Sequence, residues 1–232
     1  MSSSANSLAV PQPETVSAVY LVATSALVAD QPESMPPLPP AGLLLARGDD
    51  PADVDRLESL PYATAVVYRA PLAEAAGNCA HVLATAREIA RTHGGLVVDA
   101  IVPRIITADH RPSPAATAWF VFEHIGEIIA THGLARFGLP ELYNDQSDQA
   151  RIAMYDAVLV GVAQRLVEEW PANDPVGPAT ITLRDVARGY GDASAGGDDP
   201  TLRRGLDITL SYDGAAHRLV VVLHDDPADL FA

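Results

Sequence analysis

Between Glu123 and Asp148 the chain gathers Glu123, His124, Glu127, His132, Glu141, Asp145 and Asp148. Imidazole and carboxylate hold zinc or iron, and carboxylates can take a proton from an ion-bound water. This segment is therefore the candidate for a metal-assisted hydrolase. Its spacing works against that chemistry. His124-x-x-Glu127 reproduces the start of an inverted zinc-protease motif, but Ile128 stands where the second His belongs. If the segment is a strand, alternation sends His124 and Glu127 to opposite faces, and only a bulge at Gly126 would reunite them. No residue is assigned a catalytic, cofactor-binding or metal-ligating role on this pattern.

Other polar groups read as structural. Asp192, Ser194, Gly196, Asp198 and Asp199 place oxygens at alternate positions, as calcium loops do, but the twelfth position is Arg203 rather than Glu. A solvated loop is expected there. Gly189, Gly191 and Gly196 neither follow a strand nor open a helix at nucleotide-binding spacing. Asp99 falls at the end of an expected strand, where α/β folds often put functional carboxylates; a bond to local backbone is the preferred reading. Arg136 is expected to pair with Glu141 across a turn, a contact worth about 1 kcal/mol or less if exposed. Cys79, the single cysteine, lies on the apolar stripe of an expected helix and reads as core filler.

Composition narrows the function classes. All 15 basic residues are Arg, against 30 Asp and Glu, for a net charge of -15. A surface this negative repels phosphate backbones and anionic headgroups, which disfavours nucleic acid and membrane as partners and favours a basic protein. One cysteine excludes an internal disulfide framework. Val16 to Ala29 resembles a signal-peptide core, but Glu14 precedes it and the first Arg is Arg47. No apolar stretch approaches the roughly 18 to 20 residues that span a bilayer. A cytoplasmic protein is expected, with no cofactor.

The elements that must position these groups form an α+β pattern. Residues 1–14 are expected to be a disordered lead and 15–232 one domain. Thr15 to Ala23 reads as a strand buried on both faces, because it barely alternates. Five prolines between Gln31 and Pro40 require a loop over 31–40. Asp49-Asp50-Pro51 opens a short helix to about Leu60, and Tyr62 to Arg69 is a strand. Leu72, Ala75, Cys79, Val82, Ala86, Ile89 and Ala90 make one helical stripe, which Gly94-Gly95 ends. Leu96 to Ala100 and Arg104 to Thr107 follow as strands, and the order strand, helix, strand suggests a parallel crossover. Trp119 to His124 and Glu127 to Thr131 read as strands. Asp145 or Ser147 caps a second long helix that ends at Pro171. Leu206 to Ser211 and His217 to Leu223 flank Asp213-Gly214, a hairpin signal, and 188–204 is a flexible surface loop. The sum is a mixed sheet of about six to eight strands with two main helices packed on one face.

Two stretches carry a resemblance. AREIARTHGGLVVD, Ala86 to Asp99, and THGLARFGLPEL, Thr131 to Leu142, are similar to signatures of an uncharacterised bacterial domain group loosely related to suppressor of fused. The resemblance implies a helix leading into a Gly-Gly strand that ends in Asp, then a later strand and turn before a helix. It also implies a non-catalytic protein-binding module, immunity-like or adaptor in type, with no catalytic residues to carry across. The two alternatives are the hydrolase on 123–148 and a structural component of a larger bacterial assembly.

Overall fold

Thr15–Thr24 is the strand (β1) around which the first half of the chain assembles. In the computed structural model, which describes residues 10–28, 37–107 and 115–232, β1 pairs antiparallel with β2 (Tyr62–Pro71) along its whole length. On its other side it pairs antiparallel with β3 (Leu96–Asp99), and β4 (Arg104–Ile106) closes the order β2-β1-β3-β4. Leu21 and Ala23 pack with Val98, Ile105 and the side chains Leu44, Val54 and Leu57, which come from α1 (Ala41–Ala46) and α2 (Pro51–Ser59). Alternation gives Tyr20 and Val22 the opposite face; both are fully buried, and the long helix α3 (Ala75–Thr92) packs on β1, β2 and β3. Burial on both faces is why β1 reads as a continuous apolar run rather than an alternating one.

The expected helix start holds: the Asp50 carboxylate accepts the Ala52 N–H at 2.8 Å and Pro51 takes the first helical position. The crossover through α3 also forms, with one difference. Both β2 and β3 run antiparallel to β1, so they are parallel to each other, and α3 carries the chain over β1 to reach the far side. Gly94 adopts φ +64°, the left-handed turn that releases the chain from α3.

The second half builds a mixed six-stranded sheet in the order β5-β6-β7-β10-β9-β8. Its strands are β5 (Val121–Ile125), β6 (Ile128–His132), β7 (Glu141–Asn144), β8 (Gly177–Thr182), β9 (Gly205–Asp213) and β10 (Arg218–Leu223). Only β7 and β10 pair in parallel among the described residues. Helix α4 (Ile152–Glu169) packs against α5 (Leu183–Gly189) and β8, and a short α6 (Ala228–Phe231) ends the chain. Asp148 caps the single turn that leads into α4, close to the expected start.

Several expectations change. The class is α+β, but one sheet of six to eight strands with both main helices on one face is replaced by two sheets, of four and six strands, with α3 and α4 serving different ones. Local sequence marks strands; partners and register come from distant segments. Where one core was expected over 15–232, the chain divides into two compact units, Thr15–Pro112 and Ser113–Ala232 with Met1–Glu14. Of the expected lead, residues 1–9 lie outside the described residues, whereas Val10 is buried and Gln12 Nε2 donates to the Pro171 carbonyl at 3.0 Å. Of the Pro-rich loop 31–40, residues 31–36 lie outside the described residues, and Pro40 is the N-cap of α1. The stretch 188–204 holds two short 3-10 turns, Ala193–Gly196 and Pro200–Arg203. The hairpin at Asp213 forms in the register Asp213↔Arg218, with the positive φ at His217 rather than at Gly214.

Candidate functional site

The seven acids and imidazoles of 123–148 are distributed rather than gathered. β5 and β6 form a hairpin with the two-residue turn Gly126-Glu127, so His124 pairs with Ile129 in the ladder and Glu127 sits at the tip. The His124 ring lies tilted against Phe122, whose ring meets Phe120 edge to face, at centroid distances of 6.0 and 5.2 Å. His132 is exposed at the end of β6. Asp148 accepts the Ala150 N–H at 2.9 Å and pairs with Arg151 at 3.2 Å, and these contacts hold its carboxyl below the usual range. Among the described residues no three His, Cys, Asp or Glu side chains group as ligands for one metal ion.

Glu141 is engaged by its own turn. Its Oε1 accepts the N–H groups of Gly133 (2.8 Å) and Ala135 (3.3 Å), and its Oε2 accepts the Thr131 hydroxyl (2.9 Å) and the Leu134 N–H (3.2 Å). Both oxygens close the turn between β6 and β7. Arg136, expected to pair with Glu141, instead donates Nε–H to the Gly133 carbonyl at 3.1 Å and lies 5.8 Å from the Trp119 ring centroid, 2% exposed. Turn geometry points Arg136 inward while the carboxylate faces the backbone donors.

Asp99 follows the structural reading. Its Oδ1 accepts the N–H groups of Ile101 (3.0 Å) and Val102 (3.1 Å), and Arg104 lies 3.9 Å from Oδ2, so the carboxylate shapes the β3–β4 turn. Asp192 and Asp199 each accept a backbone N–H and a hydroxyl two residues on, from Ser194 and Thr201. Those bonds lower both carboxyl pKa values and leave the oxygens facing their own turns. Cys79 is buried.

One polar pair escaped the sequence. His124 Nε2 lies 2.9 Å from Asp156 Oδ1 on α4, in a dyad bridging sheet and helix. A carboxylate only accepts, so Nε2 carries the proton and Nδ1 is the ring's remaining nitrogen. Burial, and then the Asp156 charge, raise the Tyr190 phenol above its ordinary value. The i,i+4 position of Asp156 relative to Ile152 and Val160 was visible, but nothing local connects it to a strand 32 residues earlier.

Three arginines line a single cavity elsewhere, in the N-terminal unit. A cavity of about 500 Å³ opens at the β4 edge of the sheet, lined from α2 on one face and from the last turns of α3 on the other, with Arg56, Arg87 and Arg91 on its walls beside Val97, Ile105 and Ile106. Arg91 is paired with Glu88 at 2.5 Å. Among the described residues Arg87 hydrogen-bonds only the Thr107 carbonyl, at 3.4 Å, and partial burial lowers its pKa. Compared with protein-family models, curated proteins and solved structures, the chain matches none.

Proposed function

We propose that this chain is a non-catalytic protein-binding module, immunity-like or adaptor in type, whose C-terminal unit presents a negative surface to a basic partner. The observation that carries the reading is how unevenly charge is divided. The unit formed by 113–232 and 1–14 holds 19 Asp and Glu against 8 Arg, whereas 15–112 holds 11 against 7. A field concentrated on one unit steers a cationic partner to that unit and raises its encounter rate. The carboxylates nearest to a catalytic pattern support the same reading, because Glu141, Asp148 and Asp99 act as acceptors for their own turns. The helix-to-Gly-Gly-strand and the strand-and-turn of the resembling stretches correspond to α3–β3 and β6–β7.

The test is affinity purification of the tagged chain from its native host, at low and high salt. A stoichiometric partner with a basic isoelectric point, released by about 0.5 M salt and lost when Glu123, Asp145, Asp225 and Asp229 are changed to Arg, supports the reading. A partner that is acidic, or that ignores both salt and the four reversals, overturns it.

A structural role in a larger assembly is a second reading with its own support. β2 is a ten-residue edge strand of its sheet, with Val67 and Tyr68 each 56% exposed, and such an edge accepts another strand. A monodisperse monomer in lysate, by size-exclusion chromatography, would end that reading.

A further inference from the structure

We propose that the cavity at the β4 edge is a binding site for a small organic anion, one carboxylate or phosphate head on an apolar body. Three features of the structure converge on this. The first is charge in an unexpected place. In a chain with twice as many acids as arginines, Arg56, Arg87 and Arg91 line one concavity. Arg87 and Arg91 are one helical turn apart on α3, where like charges repel.

The second is incomplete neutralisation. Arg91 is held by Glu88, but Arg56 and Arg87 form no ion pair among the described residues, and Arg87 has only a long bond to the Thr107 carbonyl. A half-buried guanidinium without a carboxylate is an arrangement that an arriving anion improves, because charge-assisted bonds to arginine are strong and suit carboxylate and phosphate geometry.

The third is the lining. Beside the arginines the cavity surface is aliphatic, with Val97 and Ile106 contributed by neighbouring strands. The volume, about 500 Å³, lies within the range of small-molecule sites, which combine apolar walls with a few convergent polar groups. An inorganic ion would leave that wall wet, whereas an organic anion covers it. Asp53, also on the wall, adds an acceptor for a hydroxyl of the ligand. The site belongs to the less acidic unit and does not depend on the protein-binding reading.

Isothermal titration of the full chain with phenyl phosphate and with phenylacetate tests the assignment, with inorganic phosphate and benzyl alcohol as the head alone and the body alone. Both aromatic anions should bind at least about tenfold more tightly than either fragment; the ratio between them distinguishes a phosphate from a carboxylate head. Arg87→Met and Arg56→Met, which keep the apolar stem, should each weaken the better anion by about tenfold or more. Arg69→Met, in the same unit but outside the cavity, should leave it unchanged. Circular dichroism confirms folding, and Arg56 on the exposed side of α2 serves if the α3 variant unfolds. Binding of benzyl alcohol as tight as that of the anions, wild-type affinity in both arginine variants, or no saturation by either anion below about 10 mM overturns the proposal.

Discussion

The Thr131 hydroxyl donates to Glu141 Oε2 at 2.9 Å and accepts the Leu142 N–H at 2.7 Å, so one side chain ties a carboxylate to the strand that carries it. Together with the N–H groups that Glu141 receives from Gly133, Leu134 and Ala135, this relay fixes the 3-10 turn Leu134–Phe137 between β6 and β7. Gly133 and Leu134 are buried, so their donors have no water to turn to. Glu141→Ala should therefore lower unfolding free energy by about 3 kcal/mol, since each orphaned buried donor costs about 1–3 kcal/mol. Urea denaturation followed by Trp119 fluorescence measures it, and a loss below about 0.5 kcal/mol would show that the turn holds without its carboxylate.

Asp49 titrates against the fold. Burial raises its pKa above the ordinary 3.8, outweighing the Ile105 N–H and Arg104, which pull it down. Its Oδ1 accepts the Ile105 N–H at 3.0 Å, and Oδ2 is buried with no hydrogen-bond partner among the described residues. A raised carboxyl pKa favours the neutral form in the folded state, so its contribution is full below the unfolded value and is lost as pH rises through the folded one. Asp49→Asn removes the titration. The stability of the variant relative to the parent should rise between about pH 3 and pH 6, read as thermal midpoints; a flat difference would contradict the assignment.

The opposite sign applies around Arg151, which bridges Asp148 and Asp226. Backbone N–H groups of Ala150 and Ala228, with Arg151 added, lower both carboxyl pKa values. Their contribution is present above the unfolded pKa and disappears as pH falls through the folded values. Arg151→Met should cost little at neutral pH because these groups are exposed. What cost there is should vanish in about 1 M salt and below about pH 3; thermal midpoints that stay apart under both conditions would assign Arg151 a packing role instead.

Helices α4 and α5 approach through glycine. A Cβ at Gly161 would stand 2.8 Å from Ile181 Cγ2 and 3.0 Å from Val186 Cγ2, and one at Gly189 would stand 2.9 Å from the Val160 carbonyl oxygen. Gly161→Ala or Gly189→Ala should each destabilise by about 1–3 kcal/mol, with Gly189→Ala the worse because backbone cannot rotate away. Gly196→Ala, where nothing lies within 4 Å, is the control. Equal thermal midpoints for all three would show that the helices separate freely.

Much of the local structure was legible because it depends on neighbours in sequence. Asp50-Pro51 begins a helix, and Gly94 ends one, through backbone requirements that a few residues meet by themselves. Thr182 and Asp185 form a capping box that would have revealed α5, which begins before the stretch 188–204 read as a flexible loop. The candidate site was less legible. His124 was singled out, but its partner Asp156 was not, and no short motif joins Arg56 to Arg87.

By itself the amino-acid sequence determined the α+β class, the places where most strands and both long helices form, and a surface dominated by carboxylates. Periodicity, caps and turn residues act over a few positions, and formal charge needs no fold. Tertiary structure alone decided that β1 stands between β2 and β3, that ten strands divide into two sheets among the described residues, and that both Glu141 oxygens accept bonds from the β6–β7 turn. Those outcomes depend on which distant backbones exchange hydrogen bonds and which side chains lose their water, free energies that exist only once the segments meet.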